Sequence, residues 1–297
     1  MGLYKWQRTL AAPVTFTGQG VHSGKTVNLT IHPAPANFGI RFRRVDLPAQ
    51  PMVAGHFNRV VDTSLATVIG ENGCIVSTVE HLMAALAGLS VDNALVEVNE
   101  YELPIMDGSA AVFTRAIREK GIVRQEAPRF YFVILEPILL EDRDKSVCLY
   151  PDERRIISCT IEFDHPAIGR QGYELELSDD RFENEISEAR TFGFMHELEL
   201  LKFYGLAQGS SLENAVAIDE NGVVNEGGLR WPDEFVRHKI LDCIGDFSLL
   251  GLPILGRICL YKSGHNFNHE FLKTFFKKKK YWKTATIETM DAAAVCR

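Results

Sequence analysis

The sequence predicts an α+β fold, and three features of the chain lead to that prediction. Strand-like segments come in runs and do not alternate strictly with helices, which argues against a doubly wound sheet. Each half of the chain carries several strand-like segments and at least two helical ones. Residues 121–129, Gly-Ile-Val-Arg-Gln-Glu-Ala-Pro-Arg, interrupt this pattern near the middle. We therefore predict two domains, residues 1–126 and residues 127–297, although no convincing sequence repeat relates them.

Apolar periodicity places the elements of the first half. Val27, Leu29 and Ile31 alternate with polar residues, as in a half-buried strand. We expect strands within 14–33 and at 40–44, 66–69 and 93–99, and a loop at 58–64. We expect helices from residue 80 onward and from a cap at 107–109 to about residue 120, where a glycine ends the helix.

The second half resumes with a new run of strands. Strands are predicted at 130–136, 145–150, 156–163, 172–177, 214–219, 254–261 and 281–288. Helices are predicted near 180–188, 194–204, 232–250 and 267–278.

Composition excludes several classes of protein. The chain has 297 residues, 46% hydrophobic and 24% charged, which is typical of a globular protein. A net charge of −7 argues against a general nucleic-acid binder, so an anionic substrate must meet a local cluster of positive charge. Six scattered cysteines without a Cys-x-x-Cys pair indicate free thiols in a reducing cytoplasm.

Targeting and membrane signals are weak. The N-terminus has no apolar core of the signal-peptide type, and the longest apolar run, 247–256, is too short to span a bilayer. The run Lys277 to Lys280 indicates a solvated helix end. The alternative is that it makes transient contact with a membrane surface. The tail 291–297, with a free Cys296, is expected to be unstructured, and the protein is expected to be a monomer.

The segment Gly18 to Thr26 resembles a phosphate-binding loop but does not satisfy its pattern. Position 19 is Gln where that pattern requires Gly, and the residues that follow alternate like a strand instead of opening a helix. We therefore reject a P-loop, and His22 becomes a turn histidine without an assigned role.

The stretch Ser77-Thr-Val-Glu-His-Leu-Met-Ala-Ala-Leu-Ala-Gly-Leu89 organises the first half. Its leucines and alanines have helical spacing, and Ser77 or Thr78 can cap the helix with Glu80 in the first turn. Capping explains Glu80 but leaves His81 at the head of an apolar helix without a partner. A hydrogen-bonded core histidine is the simpler interpretation of this stretch alone.

A second helix supplies candidate metal ligands. His238, Asp242 and Asp246 are spaced i, i+4, i+8 and therefore share one slowly drifting stripe. Together with His81, two nitrogens and one carboxylate suit catalytic zinc, which keeps an open position for water. A His–Asp hydrogen bond between neighbouring turns is the alternative for one isolated pair. His265, in Lys262-Ser-Gly-His-Asn266 after a predicted strand, adds a further titratable group.

Several stretches taken together resemble the UDP-3-O-acyl-N-acetylglucosamine deacetylase family of bacterial lipid A synthesis. They are Thr78-Val-Glu-His-Leu-Met-Ala-Ala-Leu-Ala-Gly-Leu, Pro104-Ile-Met-Asp-Gly-Ser, Arg190-Thr-Phe-Gly-Phe, His238-Lys-Ile-Leu-Asp-Cys-Ile-Gly-Asp and Tyr261-Lys-Ser-Gly-His. The matches run in order from Thr17 to His265. The resemblance implies two similarly built α+β domains, helices packed between their sheets, and a site where the domains meet. The convergence of residues 81, 238, 242 and 265 rests on this resemblance.

The resemblance implies zinc-assisted hydrolysis of an acetamide on a UDP-linked acylated amino sugar, the committed step of lipid A synthesis. Glu80 is the candidate general base beside ligand His81, and Thr191 is a candidate second stabiliser of the oxyanion. His265 is the candidate acid for the leaving amine. Asp246 pairs with it in this hypothesis; otherwise Asp246 is a solvated helix carboxylate. The length of the acyl chain is not encoded in these motifs.

By resemblance, Lys239 contacts the nucleotide diphosphate, and Phe192 or Phe194 stacks near the nucleotide or sugar. An exposed helix lysine is the alternative for Lys239. Phe194, Met195 and Leu198 have helical spacing that fits either ordinary core or an acyl channel. His269, four residues after His265, departs from the family pattern, and we expect it at the surface.

Two other functions share this residue set. Two histidines and a carboxylate also form the facial triad of non-haem iron oxygenases, but Glu80 and His265 are unnecessary for dioxygen chemistry. Fe²⁺ can also occupy such a site and still support hydrolysis. A structural metal in a binding protein usually takes four ligands, often cysteines, whereas three ligands leave a position open here.

Overall fold

The computed structural model describes residues 3–290. Within them, four strands, three strands of a small sheet, a helix, a strand and a helix follow one another twice, with two additional helices in the second half. The predicted tail 291–297, with Cys296, lies outside the described residues. Among residues 3–290, no helix combines the length and the apolar character needed to cross a membrane.

The first half contains ten strands and two α-helices among its described residues. The strands are Trp6–Leu10 (β1), Val14–Gln19 (β2), Thr26–Pro33 (β3), Ile40–Arg44 (β4), Met52–Ala54 (β5), Val60–Asp62 (β6), Val68–Glu71 (β7), Cys74–Val76 (β8), Ala94–Val98 (β9) and Ile122–Pro128 (β10). The helices are Glu80–Gly88 (α1) and Ala111–Lys120 (α2), and Phe57–Arg59 forms a 3₁₀ turn.

The second half contains ten strands and four α-helices with both ends inside the described residues, and residues 287–290 are also helical. The strands are Tyr131–Ile134 (β11), Ile138–Asp142 (β12), Lys145–Tyr150 (β13), Arg155–Glu162 (β14), Arg170–Glu176 (β15), Phe192–Phe194 (β16), Val216–Asp219 (β17), Gly222–Val223 (β18), Ile254–Tyr261 (β19) and Trp282–Ala285 (β20). The helices are Asp179–Glu185 (α3), Met195–Phe203 (α4), Glu234–Ser248 (α5) and His265–Lys277 (α6), and Lys279–Tyr281 forms a 3₁₀ turn.

The two main sheets have the same topology. The first has the order β2-β3-β9-β4-β5, and the second contains the order β12-β13-β19-β14-β15, with β11 and β20 added. In both, the pair between the third and fourth strands in this order is parallel and the other three pairs are antiparallel. A small three-stranded sheet precedes one helix in each half, β6–β8 before α1 and β16–β18 before α5. The predicted pair of similarly built α+β domains is confirmed.

Helices α1 and α5 join the halves. Leu82, Ala85 and Leu86 of α1 are buried, as are Ile240 and Leu241 of α5. The helices approach so closely that a Cβ added at residue 245 would lie 2.9 Å from the carbonyl carbon of residue 80. The prediction of helices packed at the domain interface is confirmed, and this packing brings the candidate site residues of the two halves together.

Strands in which apolar and polar residues clearly alternate have bounds close to the predicted ones. Short or exposed strands deviate from the predicted bounds. Strands 40–44, 145–150 and 254–261 have the predicted bounds, and β2 and β3 form a hairpin around a turn, so no helix follows the rejected P-loop. The loop predicted at 58–64 is wrong in part, since it holds a 3₁₀ turn and β6.

The interruption predicted at 121–129 is instead strand β10, which pairs with β1. Its side chains are mostly exposed or half-buried, so no apolar alternation marks it in the sequence. Every sheet draws its strands from residues 6–128 or from residues 131–285. The boundary between residues 126 and 127 stays a prediction.

Candidate metal and catalytic centre

Glu80 and His81 are the first two residues of α1, and both are buried. The predicted cap by Ser77 or Thr78 is wrong, because the helix is preceded by Val79 without a side-chain capping bond. Thr78 has a left-handed backbone (φ 60°), and its hydroxyl lies 3.4 Å from Glu102 Oε1. The turn before α1 therefore fixes where Glu80 and His81 point without capping the helix.

Helix α5 presents His238, Asp242 and Asp246 on one stripe, as the spacing predicts. All three side chains are buried, with exposed fractions of 2–3%. Asp246 is therefore no solvated carboxylate. The stripe faces α1, where His81 meets it: the imidazole rings of His81 and His238 lie 5.1 Å apart in an edge-to-face arrangement.

His81, His238 and Asp242 converge into a cluster that can hold one metal ion, with ligand atoms within 4.8 Å of one another. Asp242 Oδ1 lies 3.3 Å from His238 Nε2 and 3.8 Å from His81 Nε2. Tetrahedral ligands about 2.1 Å from zinc lie about 3.4 Å from each other, so these separations suit such an ion.

The hydrogen bonds around the cluster leave its ligand atoms free for a cation. His238 Nδ1 donates to the carbonyl of Ala189 at 3.0 Å, so its Nε2 carries the lone pair that faces Asp242. Asp242 Oδ1 is buried and has no hydrogen-bond partner within residues 3–290. A buried carboxylate oxygen is costly without a partner, and a bound cation supplies one.

Burial and neighbouring charges set the protonation of these ligands. Burial, followed by repulsion from His238, lowers the pKa of His81 to about 3, and burial also lowers the pKa of His238. Burial opposes ionisation of Asp242, but the charges of His238 and Lys239 outweigh it and hold the pKa of that carboxyl below its usual range. Neutral imidazoles and an ionised carboxylate are the forms that bind a metal.

Beside the metal ligands, a hydrogen-bonded chain connects Glu80 with His265. The backbone N–H of Thr67 donates to Glu80 Oε2 at 3.0 Å, and the Thr67 hydroxyl donates to Asp246 Oδ1 at 2.6 Å. His265 Nδ1 donates to Asp246 Oδ2 at 2.9 Å, and the Asn268 amide donates to the same oxygen at 2.8 Å. The Asp246–His265 pair anticipated from the sequence is present.

Glu80 and His265, at the two ends of this hydrogen-bonded chain, both have raised pKa values, which suit one group to accept a proton and the other to donate one. Burial raises the pKa of Glu80 to about 7. Burial would lower the pKa of His265, but the negative charges of Asp246 and Asp242 outweigh it and raise that pKa to about 10. Near neutral pH, Glu80 can accept a proton and His265 can donate one. His265 Nε2 lies 3.9 Å from Asp242 Oδ2, which places this nitrogen toward the metal cluster.

Lys239 and Phe192 adjoin the cluster. Lys239 is only partly exposed, and its Nζ pairs with Asp242 Oδ2 at 2.7 Å, so it is no exposed helix lysine. The Phe192 ring lies 5.3 Å from Lys239 Nζ and 6.2 Å from the His238 ring. The Phe194 ring lies instead against His165 and His196, with centroids 5.5 and 5.7 Å away.

A buried ion pair holds the segment that carries Thr191. Arg190 forms two bonds with Glu234 at the start of α5, Nε to Oε1 at 2.8 Å and Nη2 to Oε2 at 3.0 Å. The backbone N–H of Thr191 donates to the carbonyl of Gly108, and its carbonyl accepts from Val216. These contacts fix both Thr191 and the nearby carbonyl that orients His238.

Three predictions about the burial or position of residues outside the metal cluster can be compared with the structure. His269 is buried, so its predicted surface position is wrong: it follows Asn268 on the inward part of α6. His22 lies in the hairpin turn as predicted, where Glu102 Oε1 accepts its backbone N–H at 2.8 Å. The stripe Phe194, Met195 and Leu198 is half-buried; Phe194 packs against the core, whereas α4 contains no buried residue. Its assignment to core or acyl channel stays a prediction.

Sequence reasoning missed Thr67 and Asn268. Thr67 carries no charge and sits before a short strand, so nothing in the local pattern marks it. Asn268 follows His265 at i+3 on a helix, a spacing that does place both side chains on one face. That spacing is the signal that could have found it.

The two α+β domains share one topology and meet at a buried His–His–Asp cluster. A carboxylate that can accept a proton and a protonated imidazole lie beside this cluster. This arrangement is typical of the active site of a metalloenzyme. The chain belongs to the family described as LpxC, UDP-3-O-acyl N-acetylglycosamine deacetylase, whose model matches residues 7–277.

Curated relatives cover nearly the whole chain. A UDP-3-O-acyl-N-acetylglucosamine deacetylase of Myxococcus xanthus is 51% identical over 267 residues, 90% of this chain and 85% of the relative. The proteins of the same name from Geotalea uraniireducens and Saccharophagus degradans are 47% and 46% identical, over 93% and 97% of this chain and 90% and 96% of their own lengths.

Proposed function

We propose that this protein hydrolyses the acetamide of UDP-3-O-acyl-N-acetylglucosamine to a free amine and acetate, in the biosynthesis of lipid A. The observation that carries the proposal is the buried cluster of His81, His238 and Asp242, whose Asp242 Oδ1 lacks a protein partner within residues 3–290. The names of relatives 46–51% identical over 90% or more of the chain support the substrate.

Zinc is the proposed ion, and these three residues would hold it. When bound, zinc supplies Lewis-acid activation of water and of the amide carbonyl. The two histidine nitrogens and the one carboxylate oxygen form a ligand set that is common in catalytic zinc sites. Imidazole also binds Fe²⁺, so this ion can occupy the same site.

The protein's own groups move the protons. Glu80 accepts a proton from the attacking water, since its raised pKa makes it a base near neutral pH. His265 Nε2 donates a proton to the departing amine, while Asp246 holds the opposite nitrogen of that ring. The C–N bond of the acetamide breaks and a C–O bond to the acetyl carbon forms. The proton from His265 replaces the acetyl group on nitrogen, the proton from water stays on Glu80, and loss of that proton to solvent with reprotonation of His265 completes the cycle.

Binding and charge stabilisation use residues around the cluster. The Thr191 hydroxyl donates to the oxyanion that develops on the acetyl oxygen, in an orientation set by its fixed backbone. Lys239, the cation that pairs with Asp242, also attracts the nucleotide diphosphate. Phe192 and Phe194 provide aromatic faces for the nucleotide or sugar. The half-buried stripe of α4 provides apolar surface for the acyl chain.

We also place the reaction in the cytoplasm. Cys74, Cys148, Cys159, Cys243 and Cys259 are free thiols in the structure, which suits a reducing compartment. The monomeric state stays a prediction. Lys277, the last residue of α6, and residues 279 and 280 beyond it are exposed, which supports the solvated helix end. Transient membrane contact stays a prediction.

Acetate release from UDP-3-O-acyl-N-acetylglucosamine tests the substrate. The proposal expects release from this compound and little from UDP-N-acetylglucosamine, which lacks the acyl chain. Equal release from both would contradict the role of the acyl group. No release by folded, zinc-loaded protein would show that the substrate is wrong.

Replacing Glu80 separates an enzyme from a binding protein with a structural metal. Glu80→Gln should retain zinc, measured by elemental analysis, and lose roughly 10²–10⁴-fold in turnover, as expected for a general base. Glu119→Gln, on the exposed side of α2, is the matched control and should keep both. A Glu80→Gln protein with unchanged turnover would remove Glu80 from the mechanism.

A further inference from the structure

A cavity of about 230 Å³ lies between the two halves of the protein. Its walls are mainly aliphatic and aromatic and come from both halves; they include Ile40, Met83, Leu86, Ile157, Ile244 and Phe247. Within residues 3–290, its lining includes none of the metal ligands and no member of the Glu80–His265 hydrogen-bonded chain. The cavity is thus separate from the proposed active site.

Arg155 is among the residues that line this cavity, and its guanidinium forms no salt bridge within residues 3–290. The carboxylates of Asp179 and Asp92 attract it but do not offset its burial and the repulsion from Arg129. Arg155 is only 9% exposed, and its Nη1 is buried without a hydrogen-bond partner within residues 3–290. Its chain neighbour Arg154 is exposed and pairs with Asp152. A buried cation without a partner is costly, and burial accordingly lowers the pKa of Arg155 to about 10, which still leaves it charged near neutral pH.

The remaining charges of the lining do not compensate Arg155. Three arginines, Arg41, Arg129 and Arg155, are among the residues that line the cavity, against the single acidic residue Asp92. That carboxylate is already engaged: Oδ1 accepts from Arg129 Nε at 2.8 Å, and Oδ2 accepts from the backbone N–H of Arg8 at 2.9 Å. The cavity therefore combines apolar walls with an excess of positive charge.

We propose that this cavity is a second binding site, for a small monocarboxylate with an aliphatic body whose carboxylate pairs with Arg155. The planar guanidinium matches a carboxylate in geometry, and one guanidinium balances one negative charge. The aliphatic walls require a hydrocarbon body. Pockets for drug-sized ligands hold roughly 300–1,000 Å³, so a cavity of about 230 Å³ selects a shorter ligand of medium chain length.

Octanoate is a suitable probe, and calorimetric titration of the zinc-loaded protein measures its affinity and stoichiometry. The proposal expects one octanoate per chain. 1-Octanol, which has the same body without the charge, should bind at least about tenfold more weakly, since a charge-assisted hydrogen bond is lost. Equal affinity for the two compounds, or no binding of octanoate, would overturn the proposal.

Arg155→Met tests the residue itself. Within residues 3–290 no carboxylate forms a salt bridge with Arg155, and the nearby Asp179 and Asp92 pair with Arg8 and Arg129. Removing Arg155 therefore leaves no buried carboxylate without its ion-pair partner, and the variant is expected to fold. It should lose at least about tenfold in octanoate affinity. Arg154→Met, at the exposed neighbouring position, is the matched control and should bind octanoate like the wild type.

Two further results keep the test decisive. Octanoate that binds Arg155→Met as tightly as wild type is held elsewhere, for instance by the zinc ion, and that result would overturn the proposal. Ala87 lines the cavity on α1, so Ala87→Leu should fill part of it and weaken octanoate binding even if Arg155→Met proves unstable. Undiminished binding by Ala87→Leu would place the ligand outside this cavity.

Discussion

The Thr67 hydroxyl donates a hydrogen bond of 2.6 Å to Asp246 Oδ1. The backbone N–H of the same residue donates to Glu80 Oε2 at 3.0 Å. One buried residue thus contacts both the candidate base and the carboxylate that orients the candidate acid. Thr67 comes from the first half and Asp246 from α5, so the relative position of the two groups depends on the domain interface.

Replacing Thr67 by Val should lower kcat while zinc content stays unchanged. The isosteric change removes the hydrogen bond to Asp246 but keeps the backbone bond to Glu80. A hydrogen bond to a charged group contributes about 1.5–3 kcal/mol, which corresponds to a loss of roughly 10- to 100-fold. Thr67→Ser restores the hydroxyl and should recover most of kcat. A Ser variant as impaired as the Val variant would point to packing instead.

The pH dependence of kcat/KM should be bell-shaped. Activity requires ionised Glu80 and should fall as pH drops through about 7, and it requires protonated His265 and should fall as pH rises through about 10. His265→Ala should lose roughly 10²–10⁴-fold in activity and the alkaline limb with it. His32→Ala, on β3 of the first sheet, is the control. An unchanged alkaline limb in His265→Ala would exclude His265 as the acid.

Gly245→Ala should separate α1 from α5. Alanine favours a helix by roughly 0.5–1 kcal/mol, but the added Cβ would press on the backbone of Glu80, and overpacking costs about 1–3 kcal/mol. We expect a lower urea midpoint and weaker zinc binding, because His81 moves with Glu80. Gly227→Ala adds a methyl group in open space and should change neither property. Normal zinc affinity in Gly245→Ala would show that the close approach does not position His81.

Arg190→Met should destabilise the protein. It leaves the fully buried carboxylate of Glu234 without its partner, which costs about 3–5 kcal/mol for buried ion pairs. Urea unfolding measures the change. Arg115 pairs with Glu188 at the surface, where such pairs contribute about 0–1 kcal/mol, so Arg115→Met is the matched control. Equal effects of the two variants would contradict the structural importance of the buried pair.

The spacing of residues along the sequence correctly predicted which side chains share a face within a single helix or strand. The stripe of His238, Asp242 and Asp246 follows from helical geometry, and the alternating strands at 145–150 and 254–261 follow from period-two burial. The shared topology of the halves is invisible in the sequence, because different apolar residues can fill equivalent strand positions. Family resemblance supplied the meeting of His81 with α5, which depends on long-range packing.

The errors have local physical causes. Residues 77 and 78 look like helix caps, yet the left-handed backbone of Thr78 directs its hydroxyl away from the start of α1. His269 resembles a surface residue by polarity, but the helix turns it inward. Thr67 was missed because an uncharged side chain gains its role only from partners that are distant in the sequence.

Zinc titration of metal-free protein, with acetate release from UDP-3-O-acyl-N-acetylglucosamine as the readout, shows whether a metal ion at His81, His238 and Asp242 supports the hydrolysis. We expect chelated protein to be inactive and turnover to rise with added zinc to a plateau at one equivalent per chain. Full turnover by the metal-free protein, or none by a folded protein that has bound one zinc ion, would contradict this expectation.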